Sequence, residues 1–277
     1  MRVAVIGAAS IDRYLMLDSF PERDSMVFAK GVHEFVGGSG ANIALNLSRR
    51  FETDFYFGTG SDSTSELILK RLSSTNLNLR YNIENGPGAT TLVMIDSHAE
   101  RRIISLGGHA LFSGITDPAE YNVLCVADSY REVAINAFKN NVKSLKIYVP
   151  GGCGLYFGVD SIIEVSSFSD FLVLSESEAR ILGKKINEIS TNRIITRGSS
   201  ETILIDKNQN SHSFEVEKVG SRIVDTTGAG DAFAAGFIEK YIESGDVVRS
   251  ICYGHKKAAE VISITGPNLI EGGKDLE

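Results

Sequence analysis

Cysteine is scarce in this chain, and the three present, Cys125, Cys153 and Cys252, lie far apart with no CxxC pair among them. That spacing excludes a disulfide framework and a cysteine-built metal site, and it predicts reduced thiols in the cytoplasm. Long apolar runs are missing as well. No stretch approaches the roughly 20 apolar residues that span a bilayer. Residues 1–7 form too short an apolar run for a signal peptide and read as a buried strand entering a turn, so no membrane partner and a cytoplasmic location are expected. No lysine- or arginine-rich run occurs, and 28 Lys plus Arg stand against 35 Asp plus Glu, a formal charge of −7. This balance argues against nucleic acid and requires that an anionic ligand be held locally. The phosphate loop GxxxxGK[ST] and the full dinucleotide fingerprint GxGxxG are also absent. With 277 residues and no linker-like segment, one large α/β domain carrying a small appendage is expected.

What the chain does have is glycine turns that feed helices. The densest is DTTGAGDAFAAGF, residues 225–237, which follows a short extended segment at 221–224 and opens an apolar helix over 232–242. Gly228 and Gly230 let the backbone turn tightly and approach a ligand, while the first helix amides point outward with the positive end of the dipole. That is an anion site. A carboxylate in it is costly unless it has a task, and Asp231 is such a carboxylate. In phosphoryl transfer the amides would hold the charge of the moving group while the carboxylate takes a proton from the attacking hydroxyl. An ordinary turn with Asp231 as a first-turn acid is the simpler reading of an isolated motif of this kind. A second glycine turn at 37–40 leads into a helix with Asn42 in its first turn and Ile43 and Leu47 on its inner face.

Around these turns, residues 13–18 and 26–33 read as one hairpin, and 90–95 and 101–105 as another. Together they make either a small sheet covering a site or an extension of the main sheet. A strand over 54–60 leads into a capped amphipathic helix ending at Leu72. From residue 123 onward, strands at 123–126, 145–149, 171–174 and 193–196 alternate with helices near 131–138 and 176–182. Such alternation implies a parallel sheet covered on both faces, with ligands beyond the carboxyl ends of its strands. That rule draws attention to Ser175 and Glu178 after one strand and to Thr196, Arg197 and Gly198 after another. A helix over 254–263 carries His255 and is stopped by residues 265–267.

DTTGAGDAFAAGF resembles the second sequence motif of the ribokinase-like (PfkB) family of sugar and nucleoside kinases, and GGSGANIA at 37–44 resembles its first. The resemblance implies an α/β ribokinase-like fold with a central, mostly parallel β-sheet flanked by helices. It implies a single domain over 1–277 with a small β-sheet lid whose strands come from about 12–35 and 88–106. It further implies ATP-dependent phosphorylation of a hydroxymethyl group. Asp231 would be the general base, the amides of Gly228, Ala229 and Gly230 the anion hole, and Ser10, Asp12, Gly38, Ser39 and Asn42 the substrate-binding set. Ser175, Thr196, Arg197, Gly198 and His255 would lie along the nucleotide. Glu178 matches the acid of an Asn-x-x-Glu motif that organises Mg²⁺ through water, with Ser175 standing where the family has Asn. Asp225 resembles a residue beside a monovalent-cation site, although an N-terminal helix cap reads equally well. An exposed lid edge would suit a homodimer.

The acceptor follows from finer detail. Ser39 stands where the ribokinase branch commonly has Lys, which brings the motif closer to nucleoside kinases. Tyr14, Met16, Phe28 and Phe35 would face a nucleobase, or else fill the lid core. A ribonucleoside is therefore the expected acceptor, with a free sugar such as ribose or fructose as the alternative. A non-catalytic sugar- or nucleotide-binding regulator is the second alternative, and a pure binder has no need of Asp231.

Overall fold

The computed structural model describes residues 1–98, 100–116, 120–216 and 223–268. The chain begins with β1 (Arg2–Ile6), whose alternate side chains serve both faces of a sheet: Val3 and Val5 enter one core and Ala4 and Ile6 the other. It then leaves for β2 (Ser10–Met16) and β3 (Gly31–Gly37) before returning through α1 (Ser39–Leu47). β4 (Glu52–Thr59) leads to α2 (Ser63–Ser73), capped by Asp62, whose carboxylate accepts the Ser65 amide at 3.0 Å. Next come β5 (Leu77–Ile83) and the hairpin β6 (Thr90–Ile95) and β7 (Arg101–Ser105). The second half alternates strand and helix: β8 (Val123–Ala127), α3 (Arg131–Asn140), β9 (Leu145–Val149), α4 (Gly151–Tyr156), α5 (Val159–Ser166), β10 (Phe171–Ser175), α6 (Glu176–Leu182) and β11 (Asn192–Thr196). It closes with β12 (Thr202–Ile205), β13 (Ser211–Phe214), α7 (Ala229–Ser244) and α8 (Val247–Val261).

Nine strands form one sheet in the order β13-β12-β11-β10-β9-β8-β1-β4-β5, parallel from β11 to β5, with β12 and β13 added antiparallel at one edge. One face is covered by α1, α2, α7 and α8 and the other by α3, α5 and α6, giving two apolar cores. The order reverses between β1 and β8, the place where open sheets of this kind part at their carboxyl ends to receive ligands. Here glycine has a definite task. A Cβ on Gly7 would lie 2.1 Å from the Ala127 carbonyl oxygen and 2.7 Å from the Cα of Gly40, so α1 starts directly on the ends of β1 and β8 because neither glycine has a side chain.

The other four described strands make a separate sheet, β3-β2-β6-β7, so the two predicted hairpins join each other, through the parallel pair β2 and β6, and do not extend the main sheet. The second strand falls later than the 26–33 expected, because pairing from Ser10↔Gly37 to Met16↔Gly31 buries Phe35 and Val36 while Met26 and Phe28 stay exposed. Tyr14, Phe35, Val93 and Ile95, with Met16 against them, form this sheet's own core, Tyr14 meeting Phe35 edge to face at 5.0 Å. Of the extended segment expected at 221–224, Ser221 and Arg222 lie outside the described residues, and Ile223 and Val224 belong to no strand. Helix α8 begins seven residues earlier than its apolar pattern suggested, at an Asp246 cap that accepts the Arg249 amide at 3.1 Å.

Candidate active site

Asp231 is the third residue of α7, at the end of the sheet where α1 and α7 both begin. The helix starts from Gly228, whose φ of 75° and ψ of −1° place it in the left-handed region that glycine adopts without strain. No side chain caps this end. Among the described residues the amides of Gly228, Gly230 and Asp231 have no acceptor, whereas that of Ala229 is 3.4 Å from the Thr226 carbonyl. A Cβ at Gly230 would meet no atom within 4 Å, so there is room beside that residue. The turn therefore offers donors to an anion, with the Asp231 amide available beside those of the expected Gly228, Ala229 and Gly230 set.

The carboxylate of Asp231 accepts a hydrogen bond from Asn42 Nδ2 at 2.8 Å. Asn42 is oriented in turn by Asn268, whose Nδ2 donates to Asn42 Oδ1 and to the Val36 carbonyl, both at 3.2 Å. Surrounding protein raises the Asp231 carboxyl to about 7, chiefly by desolvation, with Asp128 and Glu178 adding repulsion and Asn42 and Ser39 opposing. A carboxylate poised near neutrality beside an anion site suits a general base.

Asp128 was not anticipated. It follows β8 directly, at φ 45°, is buried, accepts the Cys153 amide at 3.2 Å and contacts Ser39. Burial raises its carboxyl too. The signal was present, since an acid immediately after an apolar parallel strand stands in the crevice where such sheets bind ligands. Ser39 thus lies near both Asp128 and Asp231 and favours the charged form of each.

Asp12 sits on β2 facing Thr91 of β6, buried, with Ser10 Oγ donating to its Oδ1 at 3.0 Å. Desolvation raises it to about 6 against the hydrogen bonds of Ser10 and Thr91. The Ser10↔Gly37 register brings Ser10 and Asp12 against the glycine turn that contains Gly38, so the expected substrate set of Ser10, Asp12, Gly38, Ser39 and Asn42 converges on one place.

The nucleotide set is arranged differently. Ser175 and Glu178 form a capping box: the Ser175 amide donates to Glu178 Oε2 at 2.6 Å and the Glu178 amide to Ser175 Oγ at 3.2 Å. Glu178 also repels Asp231 and Asp128, so it faces the same space. Arg197 is occupied by Glu176 at 2.9 Å and Glu201 at 3.1 Å, and Thr196 Oγ1 donates to the Leu174 carbonyl at 3.3 Å. Gly198 turns the backbone at φ 60°. His255 lies on α8, its Nε2 2.8 Å from Thr202 Oγ1 and its ring 5.5 Å from that of Phe233. Asp225 caps no helix. Its Oδ1 accepts the amide and hydroxyl of Thr227 at 2.8 and 2.7 Å, and its Oδ2 accepts the Gly266 amide at 3.1 Å, tying the turn to the segment after α8. Among the described residues no group of three or more His, Cys, Asp or Glu is placed to hold a metal ion directly. No described helix is long and apolar enough to cross a membrane.

A buried carboxylate at a helix N-terminus, beside the sheet-end crevice, is the arrangement that the comparisons place among phosphotransferases with an alcohol acceptor. The chain matches the pfkB family carbohydrate kinases over residues 1–271 and belongs to that family. It is similar to the ribokinase of Staphylococcus aureus, 24% identical over 96% of this chain and 94% of that one. The structure of the Methanocaldococcus jannaschii nucleoside kinase, a ribokinase-family member, superposes with a TM-score of 0.80 at 20% identity, over 98% of this chain and 94% of that one. That of Arabidopsis thaliana ribokinase, solved with ribose and ATP, gives 0.75 at 21% identity, over 96% and 93%.

Proposed function

We propose that this chain transfers the γ-phosphoryl group of ATP to the hydroxymethyl group of a ribofuranose ring, with a free sugar such as ribose as the preferred acceptor. The observation that carries this reading is the Asp231–Asn42 pair set at the open amides of the Gly228–Gly230 turn. Asn42 aims the carboxylate, Asp231 accepts the hydroxymethyl proton as the oxygen attacks, and the turn amides take up charge on the moving phosphoryl group. Asp12 accepts hydrogen bonds from neighbouring ring hydroxyls, with Ser10 fixing its orientation. Thr196, Gly198 and His255 are assigned to the nucleotide side, where Arg197 acts through its ion pairs and not as a free phosphate ligand.

The donor set suits Mg²⁺ held through water, because that ion keeps several waters and takes few carboxylates directly. Glu178 would hold those waters, and the ion would neutralise charge between the phosphates. Glu178→Gln preserves the capping box, since Gln serves the same position. It should therefore leave Tm near wild type and raise the Mg²⁺ concentration at half-maximal rate. An unchanged titration would reduce Glu178 to a helix cap.

The preference for a free sugar comes from the small sheet. Tyr14 and Phe35 are spent in its core with Met16 against them, and Phe28 is 81% exposed, so these four side chains form no platform for a base. A ribonucleoside acceptor is the second reading, and one observation favours it: Tyr130, Tyr156 and Phe157 form an exposed aromatic cluster beyond the ends of β8 and β9, beside Asp128 and Cys153. The test is a panel of ribose, deoxyribose, ribose 1-phosphate, fructose and nucleosides with ATP and Mg²⁺, following ADP release. Ribose should show the highest kcat/KM. Nucleosides ahead by roughly 5- to 150-fold, the worth of one stacked base, would establish the second reading. Nucleotide binding without turnover of any acceptor would point to a regulator.

A further inference from the structure

The monovalent cation that the resemblance places beside Asp225 can be tested against the groups around that carboxylate. Both oxygens already face donors, the amide and hydroxyl of Thr227 on Oδ1 and the Gly266 amide on Oδ2. A positive charge is also present. Arg101, reaching from β7 of the small sheet, donates Nη1 to Thr227 Oγ1 at 2.5 Å and lies 3.9 Å from Asp225 Oδ1. The Thr227 hydroxyl accepts from the guanidinium while donating to Asp225, so the three groups form one chain. Tyr14, from β2, brings its buried hydroxyl to the same pair without completing a hydrogen bond. A metal cation requires converging oxygen acceptors, whereas here donors converge, and among the described residues the fit to an ion is poor. A carboxylate that is 2% exposed still needs a positive partner.

We propose that Arg101 is the built-in cation of the phosphoryl-transfer turn. It is a positioning residue: it holds Thr227, and through it the Gly228–Gly230 amides, in working geometry, and it makes that geometry depend on the small sheet being in place. The inference rests on reading this turn as the phosphoryl site.

The experiment compares wild type, Arg101→Gln and Arg101→Lys in KCl and in choline chloride at equal ionic strength, by thermal melting and by steady-state rates. Wild-type Tm and kcat should be the same in both salts, since an ion that binds the native state would raise Tm by mass action. Arg101→Gln should lose about 10- to 100-fold in kcat with the acceptor KM within about threefold, the pattern of a displaced reacting geometry and not of lost binding. Arg101→Lys should recover part of the rate, because lysine restores the charge but not the planar fork. A wild-type Tm or kcat raised specifically by K⁺ would overturn the proposal, and so would an Arg101→Gln enzyme with wild-type kcat. The melts need no acceptor, so a chain that turns over nothing fails the proposed function while the K⁺ response of Tm still decides the role of Arg101.

Discussion

Replacing Asp231 by Asn should lower kcat by about 10²- to 10⁴-fold while ADP affinity stays near wild type, because the exchange keeps the shape of the turn and removes only the base. Asn42 would still meet a carbonyl oxygen at that position. The pH profile supplies a second readout. With its carboxyl held at about 7, Asp231 is ionised above that pH and protonated below it, so kcat/KM should fall on the acid side from about pH 7. Asp12, held at about 6, adds a second proton and steepens the limb below that point. The Asp231→Asn enzyme should keep only the lower limb. Stability should move the other way. A carboxyl raised on folding retains a proton that the unfolded chain has already released, so it costs stability progressively as pH rises between about 4 and 7. Asp231→Asn should therefore melt above wild type at pH 8 and alongside it at pH 3. A variant with wild-type kcat would remove Asp231 from the chemistry.

The second large effect is expected at Gly228. Alanine there must hold a left-handed backbone, at about 1–2 kcal/mol, and its Cβ would lie 1.8 Å from the Pro267 carbonyl oxygen. One of the two segments has to move. Either movement disturbs the site twice, because Gly228 begins the row of turn amides and Pro267 precedes Asn268, which orients Asn42 against Asp231. Gly228→Ala should lower kcat by about 10²- to 10³-fold, the usual worth of a misplaced charge-stabilising donor. It should also lower Tm by several degrees. Gly230→Ala provides the contrast for stability alone, since its added methyl meets nothing within 4 Å and Tm should hold. Equal effects of the two substitutions on Tm would contradict the packing described at Pro267.

Much of this site could be read in the sequence because its key parts are local. The Gly228–Gly230 spacing before an apolar helix specifies a turn, an acid three residues into that helix stands beside the free amides, and Ser175-x-x-Glu178 is a capping box by spacing alone. The parallel sheet was legible for a similar reason, since its inner strands are short apolar runs separated by helices. What escaped were contacts made across the fold. Asn268 reaches Asn42 over 226 positions, and nothing in its neighbourhood marks it. Arg101 lies on a strand exposed along its length, where a charged residue ordinarily means solvent. The second strand of the small sheet was misplaced because Met26 and Phe28 look apolar enough to be buried, and only pairing with β2 decides that Phe35 and Val36 are buried instead. That same pairing decides, for Tyr14 and Phe35, between the two readings the sequence left open, a base platform or a lid core, in favour of the core. Strand β13 was invisible because Ser211–Ser213 is polar and exposed, and only pairing with β12 and the packing of Phe214 against the core hold it at the edge.

In the proposed reaction Asp231 activates a hydroxymethyl oxygen to take the γ-phosphoryl group of ATP. Proton-coupled ³¹P NMR of ribose incubated with ATP, Mg²⁺ and the protein tests it most directly. A phosphate ester on a CH₂ oxygen couples to two protons and gives a triplet, whereas one on a secondary or anomeric hydroxyl gives a doublet. A triplet that grows in step with ADP is expected in the wild-type reaction and none with Asp231→Asn. A doublet, ADP accompanied only by inorganic phosphate, or a triplet formed equally well by Asp231→Asn would contradict it.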